Sequence, residues 1–195
     1  MLARELAGCS RCGLRAGAKA PVFGSGPRES RVVLVGEAPG AAEDESGIPF
    51  VGASGRLLSQ LLEESGLRRD ELFITNAVKC RPPDNRTPQK DELSCCLCWL
   101  RRQLEMIRPD GIITVGNVPS RALLGRREGV TALRGRFYSL EIGGRTAWVR
   151  PIFHPAYLLR NRTRRPGSPI LLTLEDLKDV ACRVSAPAQS KGNLS

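Results

Sequence analysis

Apolar positions along the chain follow two rhythms. Short β-branched runs recur as RVVLVG from Arg31 to Gly36, LFITNAV from Leu72, GIITVG from Gly111 and TAWVRPIF from Thr146, and each reads as a buried strand. Between them the spacing becomes helical: Arg56 to Ser65, with Leu57, Leu58, Leu61 and Leu62 on one side, then roughly Pro88 to Ile107, then roughly Pro119 to Leu124. Alternation of this kind predicts an α/β fold, a three-layer α/β/α sandwich with a central, mainly parallel four-stranded sheet. In such sheets ligands gather in loops beyond the carboxyl ends of the strands. Three of the runs lead into loops of that kind: GEAPG at 36–40, KCRPPDNR at 79–86 and FHPAY at 153–157. No repeat or linker divides the chain, so one domain is expected over 1–183, with the polar stretch 184–195 as a disordered tail.

Composition narrows the classes. The chain has 195 residues, 41% of them hydrophobic and 26% charged, and no apolar run reaches the roughly 20 residues of a membrane span. A cytoplasmic monomer with no membrane partner is expected. The opening segment MLARELAGCSRCG lacks the apolar stretch of a secretory signal, so the seven cysteines are expected as ligands or free thiols rather than disulfides. The net charge of +10 is carried mainly by arginine, since only five of the thirty basic residues are lysine. The planar guanidinium fork suits phosphate, which makes a polyanion a candidate partner; charge alone leaves a merely solvated basic surface equally open.

The cysteines add chemistry. Cys9-Ser-Arg-Cys12 is a C-x2-C pair whose thiolates can chelate one metal centre, Cys80 follows a predicted strand, and further cysteines lie in the helix after it. In that helix Cys95 and Cys98 share a face while Cys96 points elsewhere, and spacing does not choose among them. An all-cysteine set suits tetrahedral zinc or a [4Fe-4S] cluster.

Four motifs in register with these cysteines, GEAPG (36–40), E-D-x-x-G-x-P-F-V-G (43–52), ITNAVKCRPPDNR (74–86) and HPAYLLR (154–160), together resemble the family-four uracil-DNA glycosylases, base-excision enzymes of bacteria and archaea that carry a [4Fe-4S] cluster. The resemblance runs from about residue 6 to 182. It implies Cys9, Cys12, Cys80 and Cys96 as cluster ligands, with Cys95 and Cys98 as bystanders, and uracil-containing DNA, single- or double-stranded, as the partner. It also implies cleavage of the N-glycosidic bond to leave an abasic site.

That reaction requires the base to leave the stack, its edge to be read and the departing anion to be stabilised. By resemblance Phe50 stacks on the flipped base. Asn76 reads uracil, since an amide can donate to O4 and accept from N3–H, a pattern that cytosine reverses. His154, the single histidine of the chain, donates to O2 as charge develops there. Glu37 orders the first loop or a water, Glu43 closes the pocket near uracil C5, and Asn85 matches another site position. Ala38 stands where related enzymes place a water-activating aspartate, and Gly40 where they place a bulky aromatic. Ser54 and Gly55, at the start of the Leu-rich helix, are candidates for phosphate contact. Tyr157, Leu158, Leu159 and Arg160 are candidates for wedging into DNA, with Arg162, Arg164 and Arg165 near its backbone. Two rivals remain: a glycosylase of the same superfamily preferring another deaminated base, and a non-catalytic nucleic-acid-binding module with structural zinc.

Overall fold

In the computed structural model, which describes residues 1–186, every position of β1 (Val32–Gly36), β2 (Phe73–Asn76) and β3 (Gly111–Val115) is buried. Burial on both faces explains why these runs are continuously apolar instead of alternating. With β4 (Tyr138–Ile142) and β5 (Arg145–Ile152) they form one sheet of five strands in the order β2-β1-β3-β5-β4. The β1, β2, β3 and β5 strands run parallel, and β4 pairs antiparallel with β5 at the edge. The expected class therefore holds, with five strands rather than four. β4 was missed because its residues alternate between half-buried and exposed, giving no apolar run. The cue was present in Gly143-Gly144, both at positive φ, which closes the β4–β5 hairpin.

Nine helices accompany the sheet among the described residues: α1 (Leu2–Ala7), α2 (Leu14–Gly17), α3 (Ala41–Ser46), α4 (Ala53–Glu64), α5 (Lys90–Ile107), α6 (Asn117–Leu124), α7 (Val130–Leu133), α8 (Pro155–Arg160) and α9 (Pro169–Ser185). Alternate strand residues serve opposite faces. Val32, Leu34, Ile74, Ile113 and Ile152 pack with Leu58, Leu61 and Leu62 of α4 and Leu174 and Leu177 of α9. Val33, Val35, Phe73, Ile112 and Val149 pack on the other side with Leu100, Leu104 and Ile107 of α5. A third cluster sits at one end, where Leu2, Leu6 and Leu14 meet Val78, Cys80, Cys96 and Trp99. None of the described helices is long and apolar enough to cross a membrane. Val184 and Ser185 still belong to α9, so the expected tail does not begin at 184; its remainder from 187 lies outside the described residues.

The α9 helix is tied to the sheet by charge as well as by apolar contact. Asp176, fully buried, accepts from Arg134 at 2.7 Å, from Arg150 of β5 at 2.8 Å and from the Gly135 N–H at 3.0 Å, while Arg150 also pairs with Asp179. Removing the shared carboxylate leaves a buried guanidinium short of a partner, so Asp176→Ala is expected to lower stability by about 3–5 kcal/mol in denaturant unfolding. A loss below about 1 kcal/mol would contradict this role.

Candidate active site and metal centre

All four parallel strands end at one cavity of about 980 Å³. β1 delivers Glu37, Ala38, Pro39 and Gly40; β2 delivers Asn76; β3 delivers Gly116; β5 delivers Phe153 and His154. Phe50, Glu43, Asn85, Ser54 and Arg160 complete the wall, so every residue expected to catalyse or to bind the base lines the same space. The location is the carboxyl-end crevice of a doubly wound sheet, where the strand order departs in two directions from β1.

The floor is Gly36. A Cβ there would lie 2.3 Å from Asn76 Oδ1 and 2.5 Å from Phe50 Cζ, so the amide and the ring both occupy the space that any side chain would take. Gly36 pairs directly with Asn76 across β1 and β2, which sets the amide beside it. Phe50 reaches over from the next loop with φ 55°, a left-handed conformation unusual for an aromatic residue and costing about 1–3 kcal/mol. Two features hold it there. Glu43 accepts from the N–H groups of Gly40 (3.1 Å), Val51 (2.9 Å) and Gly52 (2.8 Å), clamping the first loop to the Phe50 loop. Gly55 lets the first turn of α4 close on Phe50, since a Cβ there would lie 1.9 Å from the Phe50 carbonyl oxygen.

The missing side chain of Gly55 thus serves packing within the protein. Gly40 likewise answers to the clamp, because its Cβ would come within 2.8 Å of Glu43 Oε2. Asn85 lies exposed at the mouth with φ 56°, its Oδ1 accepting from Arg81 Nε at 2.8 Å.

His154 caps α8. Its Nδ1 accepts from the Ala156 N–H at 3.1 Å, so in the neutral ring Nε2 carries the proton and is left to donate. Burial, and then repulsion from Arg160, pull its pKa below the ordinary 6.5, favouring that neutral form. Glu37 is shifted the other way: burial raises its carboxyl, partly opposed by a hydrogen bond with Thr87. The arrangement supplies an aromatic face, an edge-reading amide, a neutral N–H donor and a carboxyl poised above its usual range. Together these can hold a planar heterocycle and stabilise negative charge on it.

The helix carrying the proposed wedge needs correction. Leu158 is fully buried in the core and faces away from the cavity, because α8 starts at Pro155 and turns that position inward. Tyr157, 40% exposed and lining the cavity, is the large apolar side chain presented outward, with Leu159 half-buried beside it. Arg164 is committed to Glu64 through two bonds of 2.8 Å and Arg162 to the Leu159 carbonyl; on the cavity wall Arg121, exposed, donates from Nε to the Glu128 carbonyl at 3.0 Å, and Arg160 stands exposed. Sequence reasoning missed Gly36 and Arg121 as residues of the site. Gly36 opens the GEAPG motif, so for it the signal was already in the sequence.

Cys9 and Cys12, between α1 and α2, meet Cys80 and Cys96 around a second, smaller cavity that Cys95 also lines. All are free thiols. Trp99 Nε1 donates to Cys9 Sγ at 3.3 Å and the Lys79 N–H to Cys96 Sγ at 3.2 Å, the kind of donor that steadies a thiolate. Burial pushes Cys80 up to about 12 and Cys96 up to about 11, so an ionised set calls for a cation. Among the described residues no three metal-ligating side chains converge as one ion requires. Zinc takes four such sulfurs about 2.3 Å from one point and a [4Fe-4S] cluster takes one cysteine per iron, so the donor set suits either group. Cys98 is turned to Arg11, and Cys182 lies exposed on α9.

Comparison with known proteins agrees with this geometry. Residues 23–178 match the family model described as the uracil DNA glycosylase superfamily. Similar proteins include the type-4 uracil-DNA glycosylase of Thermotoga maritima, 42% identical over 171 residues that cover 87% of this chain and 88% of that protein. The type-4 uracil-DNA glycosylase of Pyrobaculum aerophilum is 44% identical over 161 residues, 80% of this chain and 82% of that protein. That of Saccharolobus solfataricus is 43% identical over 166 residues, 83% and 77% respectively.

Two outcomes follow from the geometry. Gly36→Ala should lower stability by about 1–3 kcal/mol in a denaturant melt and remove binding of a planar base in calorimetric titration; unchanged binding would contradict the floor. Because the chain has one histidine, NMR titration of His154 reads a single group. Its midpoint should fall below 6.5, with Nε2 protonated above it, and folding stability should fall as pH drops below 6.5, since the unfolded chain then binds the proton first. A midpoint above 6.5 would be inconsistent.

Proposed function

Because the chain belongs to the uracil DNA glycosylase superfamily, we propose that it excises uracil from DNA by hydrolysing the N-glycosidic bond of a flipped deoxyuridine, leaving an abasic site for base-excision repair. The observation that carries this reading is the convergence of Phe50, Asn76 and His154 on one cavity at the strand ends. Phe50 stacks on the extruded ring. Asn76 donates from its amide to O4 and accepts N3–H, which leaves cytosine facing donor with donor and acceptor with acceptor. His154, neutral and holding its proton at Nε2, donates to O2 as the bond breaks and uracil departs as an anion. A neutral donor suits this step, because it stabilises the anion without handing over its proton.

With a methyl group at Ala38, water is left to the adjacent Glu37, whose carboxylate orients it and offsets positive charge on the sugar. Glu43 acts by shaping the pocket, since its oxygens are engaged by backbone N–H groups. Asn85 closes the mouth. DNA is held by Ser54 near the N-terminus of α4 and by Arg121 and Arg160, with Tyr157 and Leu159 rather than Leu158 filling the gap left by the flipped base. Cys9, Cys12, Cys80 and Cys96 would hold a [4Fe-4S] cluster, which when bound supplies a cross-link among the N-terminal segment, the loop after β2 and α5. Residues 1–183 act as one monomeric domain.

The test is incubation with oligonucleotides bearing one uracil, cytosine, hypoxanthine or xanthine, followed by alkaline strand cleavage. Wild type should cut at uracil. His154→Ala should lose about 10²–10³-fold, and Asn76→Asp should lose preference for uracil over cytosine. Intact uracil DNA with wild-type protein would refute the reading, and stronger cutting at hypoxanthine or xanthine would move it to another base. For the metal centre, Cys80→Ala should lower iron content and thermal stability together; a variant equally stable without iron would remove the structural role.

A further inference from the structure

Lys79 has no place in the chemistry above, yet it is the largest fully buried side chain, with no accessible surface. Among the described residues no carboxylate pairs with it. Its ammonium is instead held by three oxygens: Thr75 Oγ1 at 2.7 Å, the Asn76 carbonyl at 2.6 Å and Gln103 Oε1 at 2.5 Å. Burying a lysine without a counter-charge is costly, and an aliphatic side chain would fill the same volume, so space-filling alone does not account for it.

The bonds have a specific geometry. The peptide that follows Asn76 is fixed at both polar ends, its carbonyl by Lys79 Nζ and its N–H, that of Ala77, by the Gly36 carbonyl at 2.8 Å. With both ends held, the plane of that peptide and the direction in which the Asn76 side chain leaves the backbone are set. The lysine's own backbone faces the other cavity: its N–H donates to Cys96 Sγ at 3.2 Å, its carbonyl accepts from Val22 N–H at 2.7 Å, and its chain neighbour is Cys80. Gln103 and Thr75, which hold the ammonium, both also donate to the Phe23 carbonyl, at 2.7 and 2.9 Å. One residue thus spans the distance between the thiol-lined cavity and the amide beside Gly36.

We propose that Lys79 is a positioning residue for uracil recognition, aiming the Asn76 amide from the base of the cysteine-lined cavity. The proposal rests on Asn76 reading the base, as set out above. A residue acting through Asn76 should lose its effect once the Asn76 amide is gone, whereas a residue that only supports the fold should cost the same in either background.

The experiment is a double-mutant cycle on uracil excision, with kcat/KM measured well below the melting temperature and the uracil-to-cytosine ratio as a second readout. Lys79→Met is expected to lose about tenfold and Asn76→Ala about 100-fold, with the double variant within about threefold of Asn76→Ala alone. Lys79→Met should also narrow the gap between uracil and cytosine. Losses that multiply, to about 1,000-fold in the double variant, would overturn the proposal, as would a single variant with unchanged rate and selectivity. Should Lys79→Met not accumulate as folded protein, Gln103→Met takes its place in the same cycle, removing one of the oxygens that aim the ammonium, and the same two outcomes decide. A wild type inert on uracil DNA takes the proposal down with the reading of the site; that failure lies in the reference rate and is distinct from an additive cycle.

Discussion

The site depends on a close approach across Gly36. Where β1 and β2 pair for the last time, the absence of a side chain on one strand makes room for an amide from the other and for a phenyl ring from a loop beyond. Everything nearby serves that contact. Phe50 can reach it only with its backbone in the left-handed region, at a cost of about 1–3 kcal/mol, and the Glu43 clamp and the close-packed Gly55 turn offset that strain locally. Asn76 is held from behind by Lys79 and in register by the β1–β2 ladder. Strain concentrated at one end of a sheet, with a stable core beneath it, is how a recognition site is kept preorganised.

Legibility from sequence followed burial. β1, β2 and β3 could be read because burial on both faces leaves a continuous apolar signature, β5 by its apolar stretches on either side of the buried Arg150, and their loops because turn-forming and polar residues stood out. β4 was not legible, since an edge strand exposed on alternate residues resembles a loop unless the Gly143-Gly144 turn is weighed. Among the site residues, the side chains expected to carry chemistry line one cavity, whereas positions that act by shape gave little signal. Gly55 was expected for its N–H at the start of α4, and its missing side chain also makes room for the Phe50 carbonyl. Leu158 could not be placed from sequence, because one residue of difference in where a six-residue helix begins decides which leucine faces the core. Cys95 looked like a bystander yet borders the same cavity as the four expected ligands.

The basic surplus also takes a different meaning once paired charges are set aside. Arg134 and Arg150 pin α9 through Asp176, Arg86 is forked onto the buried Glu92, and Arg164 and Arg31 are held by Glu64 and Asp110. These five arginines serve the fold, but each is matched by a carboxylate, so the surplus of +10 stays with the other basic residues. At the cavity, Arg121 and Arg160 follow β3 and β5 and, like Ser54 of α4, line its wall. A strand drawn between these elements would present its extruded base to the floor formed by Gly36.

The central claim is that this floor, with Phe50, Asn76 and His154, forms a pocket for uracil. A crystal structure of the protein with free uracil tests it most directly. The account predicts the ring against Phe50, O4 and N3 on the Asn76 amide, and O2 facing His154 Nε2. Uracil bound elsewhere, or in the cavity with its O2 edge turned away from His154, would contradict it.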